Sequence, residues 1–165
     1  MVLSKQEILE LIESEKLVDG FIDLKTQLQP ASFDLTLAEV SIIEGEGVLD
    51  FDNSKRVLST TRAIAFENGF ASLEKGVYKV RFNEAVRLPA GIAAFSTVRS
   101  SLARCGCTMH VGWWDPGYQG KGEGLLYVGN KIRLEKNARI AQIVFLRLGK
   151  EADELYAGIH HGENL

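Results

Sequence analysis

Cysteine is scarce in this 165-residue chain, which has only Cys105 and Cys107. One residue separates them, a spacing too tight for an unstrained disulfide, so a disulfide-stapled scaffold is excluded. With His110 nearby they would supply three ligands of a metal set, but no fourth is evident. The expectation is therefore small buried side chains. Proline is nearly as sparse, at three residues, and the chain has no Pro-rich linker or low-complexity tract. No apolar run approaches the roughly 20 residues of a membrane span, so no membrane partner is expected. The N-terminus, opening M-V-L-S-K-Q-E, has acidic residues where a signal peptide would have a long apolar core, and the chain reads as cytoplasmic. A surplus of positive charge is also missing: Lys+Arg is 19 against 22 Asp+Glu, a net charge of -3. That argues against broad nucleic-acid binding. A small anionic ligand needs only a few local arginines and is not excluded.

What is present fits one domain over residues 1–165, with 45% hydrophobic and 25% charged residues. Residues 1–18 form an N-terminal helical segment. Ser4 and Glu7 have capping-box spacing, and Leu3 with Ile8 suit a hydrophobic staple. Ile8, Leu9, Leu11 and Ile12 make an apolar stripe through about Glu15, which reads as a packing helix without chemistry. Asp19-Gly20 ends the segment. From Phe33 the period changes to two: Phe33, Leu35 and Leu37 alternate with Asp34 and Thr36, and alternation resumes at Val40 after a break that suits a bulge. Further strands are expected at 48–51, 56–59, 62–66, 77–82, 85–88, 92–97, 108–111, 125–128 and 138–148, separated by Gly, Asn and Pro. Many short strands after one helix indicate an all-β fold, a jelly-roll-like barrel or sandwich. Residues 156–165 lack periodicity and read as a mobile arm, with His160 and His161 as solvated tail residues.

Four segments break the alternation in ways a core does not need. The first, 29–35, is Q-P-A-S-F-D-L, where Asp34 lies among apolar neighbours; a solvent-facing strand start explains it equally well. In the second, 99–104, R-S-S-L-A-R follows a strand and suits the first turn of a short helix. Serine hydroxyls, arginines and free N–H groups there can bind phosphate oxygens, although an N-capped structural turn is the plainer alternative. The third is G-W-W-D-P-G-Y-Q-G at 112–120, where Asp115 before Pro-Gly is equally a plain turn former. The fourth is R-I-A-Q-I-V-F at 139–145. On a regular strand Arg139, Ala141 and Ile143 share a face, and Gln142 on the other needs a partner if buried.

In this order the four segments resemble the dUTPase and dCTP deaminase superfamily, most closely its archaeal-type dUTPases. The resemblance spans most of the chain and implies a single dUTPase-like domain. The fold would be a distorted jelly-roll-like β-barrel of β-clip type. It also implies a cytoplasmic homotrimer whose sites are shared between subunits, with dUTP as substrate and Mg²⁺ as cofactor. By that resemblance Asp115 activates a water, and Arg99, Ser100, Ser101, Arg104 and Gln142 hold the phosphates. Tyr118 stacks under the deoxyribose, and His110, Val111, Gly112 and Trp113 belong to the hairpin that reads uracil. Asp34 acts indirectly, through water near the metal or by fixing Arg99.

The resemblance also discriminates between reactions. Deaminases of the superfamily place a glutamate ten residues after the shared aspartate, and here that position is Leu125. Glu123, two residues earlier, would rescue a deaminase only through a local register change. Hydrolysis of dUTP to dUMP and pyrophosphate is therefore the leading expectation. A dCTP deaminase, bifunctional or not, is the alternative, followed by a low-activity nucleotide-binding homologue. Family dUTPases close the site with a C-terminal arm carrying an arginine. Here Ala157 stands in that place and the sequence ends at Leu165, so closure by 156–165 is open, with His160 or His161 as the candidates to touch base or phosphate.

Overall fold

The computed structural model describes residues 1–165. Ser4 caps α1 (Lys5–Glu15) through the expected capping box, its hydroxyl accepting from the Glu7 N–H while the Glu7 carboxylate accepts from the Ser4 N–H. Leu3 and Ile8 are both fully buried. Then come β1 (Val18–Asp19), α2 (Leu24–Gln27), β2 (Phe33–Glu44), β3 (Thr60–Ala63), β4 (Phe70–Leu73) and β5 (Gly76–Phe82). β6 (Ala85–Arg87), β7 (Ile92–Val98), α3 (Ser100–Arg104) and β8 (Cys107–Val111) follow. The chain continues through β9 (Gln119–Gly120), β10 (Glu123–Val128), β11 (Ile132–Glu135) and β12 (Arg139–Arg147).

One hydrogen-bonded path runs β7-β12-β2-β5-β10-β8, with β3 added to β2. Its two end strands, β7 and β8, lie against each other, so the sheet is a nearly closed barrel, as expected from the strand-rich pattern. Phe33, Leu35, Phe82, Leu126, Ile143 and Phe145 fill it and are fully buried. A smaller sheet, β1-β6-β9, stands beside it, and β4 pairs with β11. No helix is long and apolar enough to cross a membrane.

Tertiary packing departs from simple periodicity at several points. Residues 33–37 of β2 are buried on both faces, so Asp34 is not solvent-facing. The expected bulge is present in β2, between Leu37 and Glu39, and a second register shift falls between Arg139 and Ala141 in β12. It brings Ile140 and Ala141 both into the core while Arg139 stays half-buried. Arg139 therefore does not share the face of Ala141 and Ile143 as regular alternation requires. Residues 48–51 and 56–59 are joined only by a Val48–Val57 bridge, and Leu49 and Phe51 are exposed. They form a loop because no sheet edge receives them. The short α2, β4 and β11 carry too few residues to show a period. Cys107 is buried in β8, but Cys105 is exposed, because it terminates α3 before the strand begins.

Candidate active site

The D-P-G-Y segment forms a tight turn. The Tyr118 N–H donates to the Asp115 carbonyl at 3.1 Å, and Gly117 takes φ +85, which a glycine adopts without strain. Backbone bonds anchor the turn on both sides. Trp114 exchanges bonds of 3.0 and 2.9 Å with Ala94, and Leu88 exchanges bonds of 2.8 and 2.9 Å with Gly117 and Tyr118. Asp115 is thus an exposed carboxylate on a rigid base. It borders a cavity of about 210 Å³ lined by Val111, Gly112, Trp113, Tyr118 and Glu123, among others. The Trp114 indole closes one wall, packing so tightly on Gly122 that a Cβ there would lie 2.2 Å from the ring. His110 does not line the cavity. It points outward from β8, edge-on to Tyr127 with ring centroids 5.6 Å apart.

The C-terminal segment folds over this cavity. The Tyr156 N–H donates to Pro116, the Lys121 N–H to the Glu163 carbonyl, and the Gly162 N–H to Gln119 at 2.7 Å. The Tyr118 hydroxyl donates to Glu163 Oε1 at 2.8 Å, and Glu163 Oε2 meets His160 Nδ1 at 2.8 Å. Burial, then the Glu163 hydrogen bond, pushes the Tyr118 phenol well above its ordinary range, so it stays a donor. Tyr156, His160 and Glu163 line the cavity, whereas His161 does not. The segment read as a mobile arm is a wall of the site.

Asp34, Arg99, Arg139 and Gln142 form a second cluster. β12 is central here: Gln142 lies opposite Asp34 of β2 on one side and Thr97 of β7 on the other. Asp34 is fully buried and its Oδ2 pairs with Arg99 Nε at 3.0 Å and an Arg139 guanidinium nitrogen at 3.1 Å. Its Oδ1 has no hydrogen-bond partner, and Gln142 is the residue opposite Asp34 across the ladder. Burial pushes the Asp34 carboxyl above the usual aspartate range, while Arg99, Gln142 and Arg139 pull against it. Arg99 leads into α3, where Ser100 and Ser101 are exposed and Arg104 occupies the last turn, also exposed.

Arg99, Ser100, Ser101, Arg104 and Gln142 are absent from the wall of the Asp115 cavity. Within one chain, the Asp115 cavity and the charged cluster around Asp34 are therefore separate. Sequence reasoning assigned no role to Arg139, Trp114, Tyr156 or Glu163. Arg139 stands inside the fourth segment beside Gln142, Trp114 inside the third, and Tyr156 at the start of the C-terminal arm, which are the available signals; the place of Glu163 depends on folding. No group of three or more His, Cys, Asp and Glu side chains is gathered to hold a metal ion.

A family model described as dCTP deaminase-like matches residues 2–148. A probable deoxyuridine 5'-triphosphate nucleotidohydrolase from Methanosarcina barkeri is 45% identical over 99% of this chain and 98% of its own length. A dCTP deaminase, dUMP-forming, from Aquifex aeolicus is 34% identical over 99% of this chain and 91% of its own length. The 2'-deoxycytidine 5'-triphosphate deaminase from Agrobacterium tumefaciens superposes with a TM-score of 0.69 at 25% identity, over 90% of this chain and 48% of that one. Barrel, motif order and full-length relatives agree, and the chain belongs to the dCTP deaminase-like family.

Proposed function

We propose that this protein hydrolyses dUTP to dUMP and pyrophosphate. The observation that carries the reading is Asp115, an exposed carboxylate fixed by a bonded turn in the wall of a cavity that Tyr118 also lines. Asp115 takes a proton from a water whose oxygen attacks the α-phosphorus. The bond from that phosphorus to the bridging oxygen breaks, and pyrophosphate leaves with the electron pair. Arg99, Ser100, Ser101, Arg104 and Gln142 hold the phosphates as charge grows on their oxygens. Asp34 positions Arg99 through the 3.0 Å ion pair. Tyr118 supports the deoxyribose, and backbone groups of the hairpin around Val111, Gly112 and Trp113 read the uracil carbonyl that cytosine lacks.

Asp34 is enclosed and already paired with two guanidinium groups. It therefore fits a cation only at second hand, through water. A Mg²⁺ ion carried in on the triphosphate fits this arrangement better than a resident one, and it would neutralise charge on the phosphate oxygens. Because the Asp115 cavity and the Asp34–Arg99 cluster are separate in one chain, we read the working site as shared between subunits of a homotrimer.

One observation favours a second reading, a dCTP deaminase. Glu123 lines the cavity beside Asp115, whereas Leu125 does not. Yet the Lys79 ammonium contacts both Glu123 oxygens, at 3.0 and 2.9 Å. That pairing ties up the carboxylate that would have to move protons at C4.

Incubation with dUTP and with dCTP, each with Mg²⁺, separates these readings once the products are resolved. Pyrophosphate from dUTP alone is expected. Deaminated product from dCTP would establish the second reading, and tight binding without turnover of either would leave a non-catalytic nucleotide binder.

A further inference from the structure

Glu84, immediately before β6, is fully buried, and no cation accompanies it. Uncharged donors surround it instead. Its Oε1 accepts from Gln27 Nε2 at 2.7 Å and from the Thr36 hydroxyl at 2.5 Å, and its Oε2 accepts from the Thr36 N–H at 2.8 Å. A buried carboxyl without a counter-charge is costly, and burial pushes this one above the usual glutamate range despite the three donors. An apolar side chain of similar volume would cost less to bury.

The bonds around Glu84 leave little slack. The Gln27 carboxamide also donates to the Asp34 carbonyl at 2.9 Å, and its oxygen accepts from the N–H groups of Ile22 at 2.8 Å and Asp23 at 3.0 Å. The Thr36 hydroxyl also accepts from Asn83 Nδ2 at 2.8 Å. The β2 backbone is thereby held at both ends of a three-residue step, at the carbonyl of residue 34 and the N–H of residue 36. Asp34 projects from that step toward Arg99 and Arg139. A connected buried network whose donors and acceptors are all used fixes position as well as stability.

We propose that Glu84 is a positioning residue: through Gln27 and Thr36 it fixes the step of β2 from which Asp34 orients Arg99 toward a triphosphate. The proposal rests on reading Arg99 as a phosphate ligand. It separates β2 alignment from the chemistry at Asp115. Both are required for turnover, but only the first serves to hold the phosphate chain.

The test uses the full chain and two variants. Glu84→Gln turns an NH₂ toward the donors of Gln27 or Thr36, and Thr36→Val removes both hydroxyl bonds, to Glu84 and from Asn83, while keeping the backbone bond from the Thr36 N–H to Glu84. For each, calorimetry measures affinity for a non-hydrolysable dUTP analogue and for dUMP, and NMR follows the Arg99 Nε–H signal. The analogue is expected to bind about tenfold more weakly, equivalent to about 1.4 kcal/mol, while dUMP affinity stays within about twofold and the Arg99 signal moves. Equal losses for both ligands, or no loss with an unmoved Arg99 signal, would overturn the proposal. Should Glu84→Gln not fold, Thr36→Val carries the comparison. Binding is the readout, so absence of dUTP hydrolysis by the unmodified protein would refute the hydrolase reading without deciding this one. Failure of that protein to bind the analogue would overturn both.

Discussion

Asp34 is enclosed between two guanidinium groups, whereas Asp115 faces a cavity from an exposed turn. The first is suited to holding cations in place and the second to meeting solvent and substrate. Asp115→Asn keeps the size of the side chain and the turn beneath it but removes the base. Turnover of dUTP is expected to fall at least about 10²-fold while nucleotide affinity is preserved. Paired pyrophosphate-release and calorimetric measurements check this, and unchanged turnover would refute the role. Glu84 provides a pH signature of stability. Its folded-state value lies above the ordinary 4.5 because of burial. The folded state therefore holds a proton that the unfolded state has already released, and stability contributed by this group falls as pH rises through the window starting near 4.5. Urea unfolding of the native chain and of Glu84→Gln from pH 4 to 8 should show the native chain losing ground to the variant as pH rises. Parallel curves would mean that Glu84 titrates alike in both states.

At the scale of elements, the cavity is built from contacts between segments far apart in sequence. The turn after β8 supplies Asp115, β10 supplies Glu123, and the C-terminal segment supplies Glu163 and His160. The close seat of Trp114 on Gly122 locks turn to strand. Gly122→Ala pushes a methyl group into the indole, and an overpacking loss of about 1–3 kcal/mol is expected. It should appear as a lower thermal midpoint together with a raised KM for dUTP; an unchanged KM would show that the Trp114 wall does not shape the base site. Much at this level is legible in sequence. Ser4 and Glu7 announce α1, the alternation from Phe33 announces β2, and R-S-S-L-A-R after a strand announces α3. The loop at 48–59 is not legible, since Val48, Leu49 and Phe51 have strand composition but meet no sheet edge. Nor is the wall formed by residues 156–165, whose hold on the barrel comes from backbone bonds and Glu163 rather than from any period.

For the whole molecule, the separation of the Asp115 cavity from the Asp34–Arg99 cluster has a direct consequence. If sites are completed between subunits of a symmetric ring, two inactive variants can repair each other. Arg99→Ala and Asp115→Asn, refolded together, should regain activity at about a quarter of the sites in a trimer. Light scattering should give about three times the 18.2 kDa chain mass. A monomer, or no recovery on mixing, would mean that each chain works with its own residues only.

By itself the sequence determined the class of the molecule, because composition, charge and alternation are local properties. It also singled out Asp115 and the Arg99–Ser101 run as candidates for chemistry, because they interrupt the alternation, while Tyr118 enters through the family resemblance alone. Only the tertiary structure decided that Asp34 is enclosed, that Arg139 is its second partner and that His110 turns away from the cavity. Those outcomes depend on the bulges of β2 and β12 and on which surfaces cover each strand face. A bulge changes the direction of every side chain beyond it, and covering surfaces come from distant parts of the chain, so neither is written in local pattern.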